Sequence, residues 1–105
     1  MSVSLHVLAA AIVDVDEIAA FLAEDGIDRA VHFYDSVRLT FRKLLSNPRS
    51  GRPCTFDGHR LRDVRMVGVR GFPSFIVFYR FEDDVVEIIR VLHGSRDMKN
   101  ILLSE

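Results

Sequence analysis

Val3, Leu5 and Val7 alternate with Ser2, Ser4 and His6, the period of two that turns one face of a β-strand to a core and the other to water. The run is short enough for an edge or hairpin strand. From Ala9 the spacing changes. Ile12, Val15, Ile18, Ala19 and Leu22 recur at three- and four-residue intervals, the stripe of an amphipathic helix. Its start falls between Ala9 and Asp14, because Asp14 and Glu17 form a candidate capping pair, and Gly26 supplies a stop. A second stripe runs through Ala30, Phe33, Tyr34, Val37, Phe41, Leu44 and Leu45. Asp28 is its expected N-cap, and Asn47, just before Pro48, its expected end. So short a connection predicts an antiparallel helical hairpin, with Phe33 and Tyr34 both facing the core.

Beyond Pro48 the chain reads as loop as far as Gly58, punctuated by Gly51 and Pro53. Leu61 to Val67 has the pattern of a strand with Arg62 and Arg65 on opposite faces, and Gly68 to Ser74 is a connector. Phe75 to Tyr79 is an unbroken apolar and aromatic run, as in a strand covered on both sides. Glu82, Asp83 and Asp84 make a polar turn, Val85 to Leu92 returns as a hairpin partner, and Ser95 to Leu103 is a candidate last helix. The order β-α-α-β-β-β defines an α+β domain, with a two-helix hairpin packed on one face of an antiparallel sheet. One domain over residues 3–103 is expected, since 105 residues leave no room for a second.

Composition narrows the class. Half of the chain is apolar, at 49%, which is a folding composition rather than a disordered one. A net charge of −1 excludes a polycation that coats nucleic acid. That total hides an uneven distribution: residues 1–48 carry −3, residues 49–80 carry +5, and residues 81–105 carry −3. No apolar run approaches the roughly 20 residues of a membrane span, and no secretory signal is visible, so a cytoplasmic protein is expected. The single cysteine, Cys54, makes no internal disulfide and sits in a loop without a cation-rich motif to activate it. No phosphate loop, zinc ligand set or dinucleotide fingerprint is present, so no cofactor and no metal are expected.

Four stretches resemble the ParE/RelE superfamily, the small toxins of bacterial type II toxin-antitoxin pairs: Val15-Asp16-Glu17-Ile18 with Phe21-Leu22-Ala23; Asn47-Pro48-Arg49-Ser50-Gly51-Arg52-Pro53; Phe75 to Arg80; and Ile89 to Asp97. The last two, at this separation and after a helical hairpin, are the most specific. The resemblance implies the same element order as the patterning and a cognate antitoxin encoded alongside. It leaves two targets open, because ParE-like toxins poison DNA gyrase whereas RelE-like toxins cut mRNA in the ribosome. The tail after Arg96 contains no Tyr or His, and this favours the ParE side.

A ribonuclease needs a proton handler and cations for the phosphate. His93 is the best acid/base candidate, with Arg62, Arg65, Arg80, Arg90 and Arg96 as possible clamps for a phosphate, or as contacts to a target or antitoxin. Each has a structural alternative. His93 ends a strand before Gly94 and could simply bond the loop. Strand alternation places Arg90 with Val86, Ile88 and Leu92, so it needs an ion partner, for which Asp97 is the better-placed acid than Glu87. Arg60 and Arg62 share a face and Arg65 takes the other, which argues against one patch. Tyr79 reads as packing, and His6 and His59 as surface residues.

Overall fold

Eight elements follow one another in the computed structural model, which describes residues 2–54, 63–96 and 98–103: β1 (Ser4–Val7), α1 (Ala9–Ala23), α2 (Ile27–Ser46), β2 (Arg52–Pro53), β3 (Arg65–Val69), β4 (Phe72–Glu82), β5 (Val85–His93) and α3 (Met98–Leu103). The strands form a single sheet in the order β1-β5-β4-β3-β2. It is antiparallel from β2 to β5, but β1 joins β5 in parallel, with Leu5 beside Val86 and Val7 beside Ile88. An alternating pattern is the same for either direction of pairing, which is why the expectation of an antiparallel sheet holds for four strands and not for the first. The two-residue β2 lies in the segment expected to be loop, where it bridges to Arg65 and Met66 of β3.

The helical hairpin covers one face. Ala11, Val15, Ala19 and Leu22 of α1 and Ala30, Phe33, Val37 and Leu44 of α2 are buried against Val69, Val77, Tyr79, Val86, Ile88 and Val91 of the sheet. Phe33 meets the edges of Phe72 and Phe75 at ring-centre distances of 5.2 and 5.5 Å, a favoured aromatic geometry. Ile101 and Leu102 of α3 pack on the opposite face with Cys54, Val64, Phe78, Ile89 and Leu92. The sheet is therefore covered on both sides around β4, as its unbroken apolar run predicts.

The helix ends differ from the expectations in detail. α1 begins at Ala9, immediately after β1, so Asp14 is an interior residue and not a cap. Gly26 stands at the N-cap position of α2 with φ +128°, a backbone conformation that suits glycine, and Asp28 lies in the first turn, where a carboxylate favours the helix dipole. Tyr34 is 40% exposed, unlike its neighbour Phe33, which is fully buried. Its hydroxyl reaches across the hairpin and donates to Asp16 Oδ1 at 2.7 Å. That bond, with desolvation and the carboxylate charge, raises the phenol above its ordinary pKa. Asp83 and Asp84, both with positive φ, make the tight β4–β5 turn, and Gly71 with φ +81° makes the β3–β4 turn where a connector is expected.

Candidate functional site

Arg90 is the first of the candidate residues to receive a definite role. Between Phe78 and Tyr79 the β4–β5 register shifts, so that Phe78 pairs with Arg90 but Tyr79 with Ile88. This bulge breaks the alternation from which Arg90 was grouped with Val86, Ile88 and Leu92. Val86 and Ile88 lie in the core under the hairpin, whereas Leu92 lies in the cluster on the opposite face. Among the described residues Arg90 pairs with Asp14 of α1. Nε donates to Oδ2 at 2.7 Å and Nη2 to Oδ1 at 2.8 Å, a side-on bidentate pair with side-chain exposures of 17% and 8%. Oδ2 also accepts the amide of Val91 at 3.0 Å. Since β1 ends opposite Ile88, that amide lies beyond the parallel ladder, and Asp14 takes the place of a strand partner. Asp97, the expected partner, lies outside the described residues, as do Arg62, Arg60 and His59.

Tyr79 is also occupied. Its ring is fully buried, its hydroxyl donates to the Pro48 carbonyl at 2.8 Å, and it accepts the Gly51 amide at 2.9 Å. Arg65 Nη1 donates to the carbonyls of Gly51 at 2.8 Å and Arg49 at 3.4 Å. Two strands thus clamp the loop Pro48-Arg49-Ser50-Gly51 from beneath. A Cβ at Gly51 would stand 2.5 Å from Tyr79 Oη, so this approach requires glycine.

The remaining candidates fall in two separate depressions. The first, about 340 Å³, lies beside the clamped loop and is lined by Arg49, Arg65, Arg80, Phe81, Asp63 and Glu82. Arg80 stands 3.9 Å from Glu87, and the Arg49 guanidinium lies 4.9 Å over the Phe81 ring. The second, about 360 Å³, runs between α1 and the end of β5, with Ile18, Phe21 and Phe75 as apolar wall and Glu17, His93 and Arg96 among its polar groups. His93 is exposed and edge-on to Phe75 at 5.1 Å. Its Nδ1 accepts the Ser95 amide at 3.0 Å and lies 2.7 Å from Ser95 Oγ. Accepting an amide leaves Nδ1 without a proton, so the neutral ring carries its proton on Nε2. His93 and Arg80 therefore line different depressions, and Arg90 is committed to Asp14.

Residues 5–98 match the family described as ParE toxin of type II toxin-antitoxin system, parDE. The chain belongs to the ParE toxin family. It is similar in structure to a chain of the chromosomal ParDE toxin-antitoxin system from P. aeruginosa, with 20% identity, a TM-score of 0.72, and coverage of 88% of this chain and 96% of that one. A chain of the RelBE2 toxin-antitoxin complex from Mycobacterium tuberculosis matches with 19% identity, a TM-score of 0.62, and coverage of 89% and 99%. No curated protein sequence matches it.

In this ParE-family toxin, several functional-looking groups resolve into packing. Cys54 is 3% exposed, its amide donates to the Val64 carbonyl at 2.8 Å, and burial pushes its thiol pKa up, the opposite of an activated nucleophile. His6 is exposed, 3.9 Å from Glu87. Among the described residues no three His, Cys, Asp or Glu side chains gather as a metal site, and no helix is long and apolar enough to cross a membrane. Sequence reasoning read Asp14 as a helix cap, although an acid placed three residues after Ala11 and four before Ile18 on a buried stripe demands a partner. It also passed over Arg49, whose position carries no pattern until the loop is folded.

The outer surface of the hairpin is unusually apolar. Ile12, Val13 and Phe21 on α1 and Ile27, Val31 and Leu39 on α2 are between 44% and 70% exposed.

Proposed function

We propose that this ParE-family toxin acts in the cytoplasm by binding DNA gyrase and arresting growth, and that a cognate antitoxin encoded beside it holds it inactive. The observation that carries this reading is the separation of the residues a RelE-like ribonuclease would need. His93 lines the groove beside α1, Arg80 lines the cleft beside the loop, Arg90 is paired with Asp14, and the Tyr79 hydroxyl holds the loop. General acid-base cleavage requires the proton handler and the cations to converge on one phosphate. A toxin that works by occupying its target needs no such convergence.

An antitoxin partner is supported by the two structural relatives, one from a ParDE system and one from a RelBE2 toxin-antitoxin complex. The exposed apolar residues of the hairpin offer surface for an antitoxin segment that orders as it binds.

The test compares supercoiling by purified gyrase with cleavage of ribosome-bound mRNA after the toxin is added. Loss of supercoiling with intact mRNA is expected. Clean mRNA cuts with unaffected supercoiling would replace this reading with ribosome-dependent endoribonuclease activity. Co-purification with the product of the adjacent gene checks the partner, and harmless expression of the chain alone counts against a toxin.

A further inference from the structure

We propose that the cleft beside the clamped loop holds one phosphodiester group of a single-stranded nucleic-acid backbone. Three arginines line the same 340 Å³ space from three parts of the chain: Arg49 from the loop after α2, Arg65 from β3 and Arg80 from β4. Each of them is positioned by a neighbour, Arg80 by Glu87 at 3.9 Å. The Gly51 and Arg49 carbonyls engage Nη1 of Arg65, which fixes the plane of the group, while Nε and Nη2 carry its three further donors. Arg49 lies over Phe81 at 4.9 Å. A fork whose orientation is fixed in advance loses less freedom when it takes a phosphate.

The rest of the lining sets the size and kind of ligand. Asp63 and Glu82 line the cleft with the three arginines, so its lining among the described residues has a net charge of +1. That balance suits one phosphate and opposes a run of them. Arg49, with its guanidinium carbon 4.9 Å over Phe81, also offers a planar cation for an unstacked base, a contact that single strands allow and acidic peptides do not use. Among the described residues no imidazole or phenol lines the cleft. The assignment is independent of which macromolecule the toxin poisons.

The probe is hexathymidylate, titrated into the full-length protein labelled with nitrogen-15, with the arginine Nε–H signals as readout. Arg49, Arg65 and Arg80 are expected to shift together, while Arg90, locked to Asp14, stays in place. For one neutralised phosphate on a single strand the log–log salt slope is about −0.7, so affinity falls about 2.6-fold between 50 and 200 mM salt. Arg80→Gln and Arg49→Gln should each weaken binding at least fivefold, while Arg38→Gln, on the exposed face of α2, leaves it unchanged. Shifts confined to the His93 groove, or a slope steeper than −3, would overturn the proposal. So would hexaglutamate moving the same signals at equal or lower concentration, which marks an acidic protein ligand, or inorganic phosphate binding as tightly as the oligonucleotide, which marks a free anion.

Discussion

The Asp14–Arg90 pair makes the sharpest demand on stability. Replacing Asp14 with alanine strips a bidentate partner from a guanidinium that is only 17% exposed, and at the same time removes the acceptor of the Val91 amide. Removing one partner of a buried ion pair costs about 3–5 kcal/mol because the survivor stays buried without compensation. An unpaired amide adds about 1 kcal/mol or more where water fails to reach it. The partial exposure of Arg90 and its further interactions offset part of this cost, so a total near 3 kcal/mol is the expected loss for Asp14→Ala. For a chain of this length that lowers Tm by roughly 12–24 °C.

Asp14→Asn keeps an acceptor for the Val91 amide but loses the charge, and should cost about 1 kcal/mol less than Asp14→Ala. Arg90→Met combined with Asp14→Leu removes both charges together and should recover most of the loss, since apolar replacements of such pairs are often neutral or better. Urea unfolding of the parent, Asp14→Leu, Arg90→Met and the double variant gives the coupling directly, and about 2 kcal/mol is expected. An Asp14→Ala loss below 1 kcal/mol, or a double variant no more stable than the sum of its single changes predicts, would refute the pair as a structural tie.

Tyr79→Phe removes both loop contacts of the hydroxyl and should cost about 1–3 kcal/mol in urea unfolding, with faster proteolysis in the loop; unchanged cleavage kinetics would contradict the clamp. Gly51→Ala, which sets a methyl group 2.5 Å from the same oxygen, should loosen the same loop. Burial raises the Cys54 thiol pKa, so the folded chain should react with a thiol reagent at pH 8 far more slowly than the urea-unfolded chain, and equal rates would show that the thiol is accessible. His93→Ala should leave growth inhibition nearly intact; complete loss at unchanged stability would place the imidazole in the chemistry. Tyr34 has a folded pKa above its ordinary value of about 10, so the stability that it contributes is present below pH 10 and is lost as pH rises through the folded value. Absorbance titration at 295 nm in the Tyr79→Phe background, where Tyr34 is the sole tyrosine, should show a midpoint above 10.

Much of this fold is legible from local pattern because its elements are amphipathic and sequential. The stripe of α2, the unbroken apolar run of β4 and the acidic β4–β5 turn each follow from the local sequence alone. What escaped depends on contacts distant in sequence. The parallel pairing of β1 with β5 spans some 80 residues, and no alternation reveals its direction. The bulge opposite Phe78 is one extra residue, yet it reverses which face Leu92 takes and sends Arg90 to a partner 76 positions away. Tyr34 fell on the helical stripe but at its margin, where a phenol can keep its hydroxyl in water. The arginines were found as a block in sequence, but their division between clamp, ion pair and cleft arises only when three strands and a loop meet.

The same geometry explains why the stretches that carry the family resemblance say more about fold than about target. Within Asn47 to Pro53, Pro48 and Gly51 are held by the Tyr79 hydroxyl, and the Arg49 and Gly51 carbonyls by Arg65. Within Phe75 to Arg80, Val77, Phe78 and Tyr79 are fully buried. Within Ile89 to Asp97, Arg90 and Val91 bind Asp14, and His93 caps its own turn through Ser95. Each segment answers to packing or backbone satisfaction, so a chain that poisons one enzyme and a chain that cuts RNA could share all three for the same physical reasons. Discrimination between targets must then reside in side chains that the scaffold presents but does not consume. Here the outward apolar residues of the hairpin are such side chains, and substitutions confined to them should alter toxicity or antitoxin binding while leaving unfolding curves within about 0.5 kcal/mol of the parent.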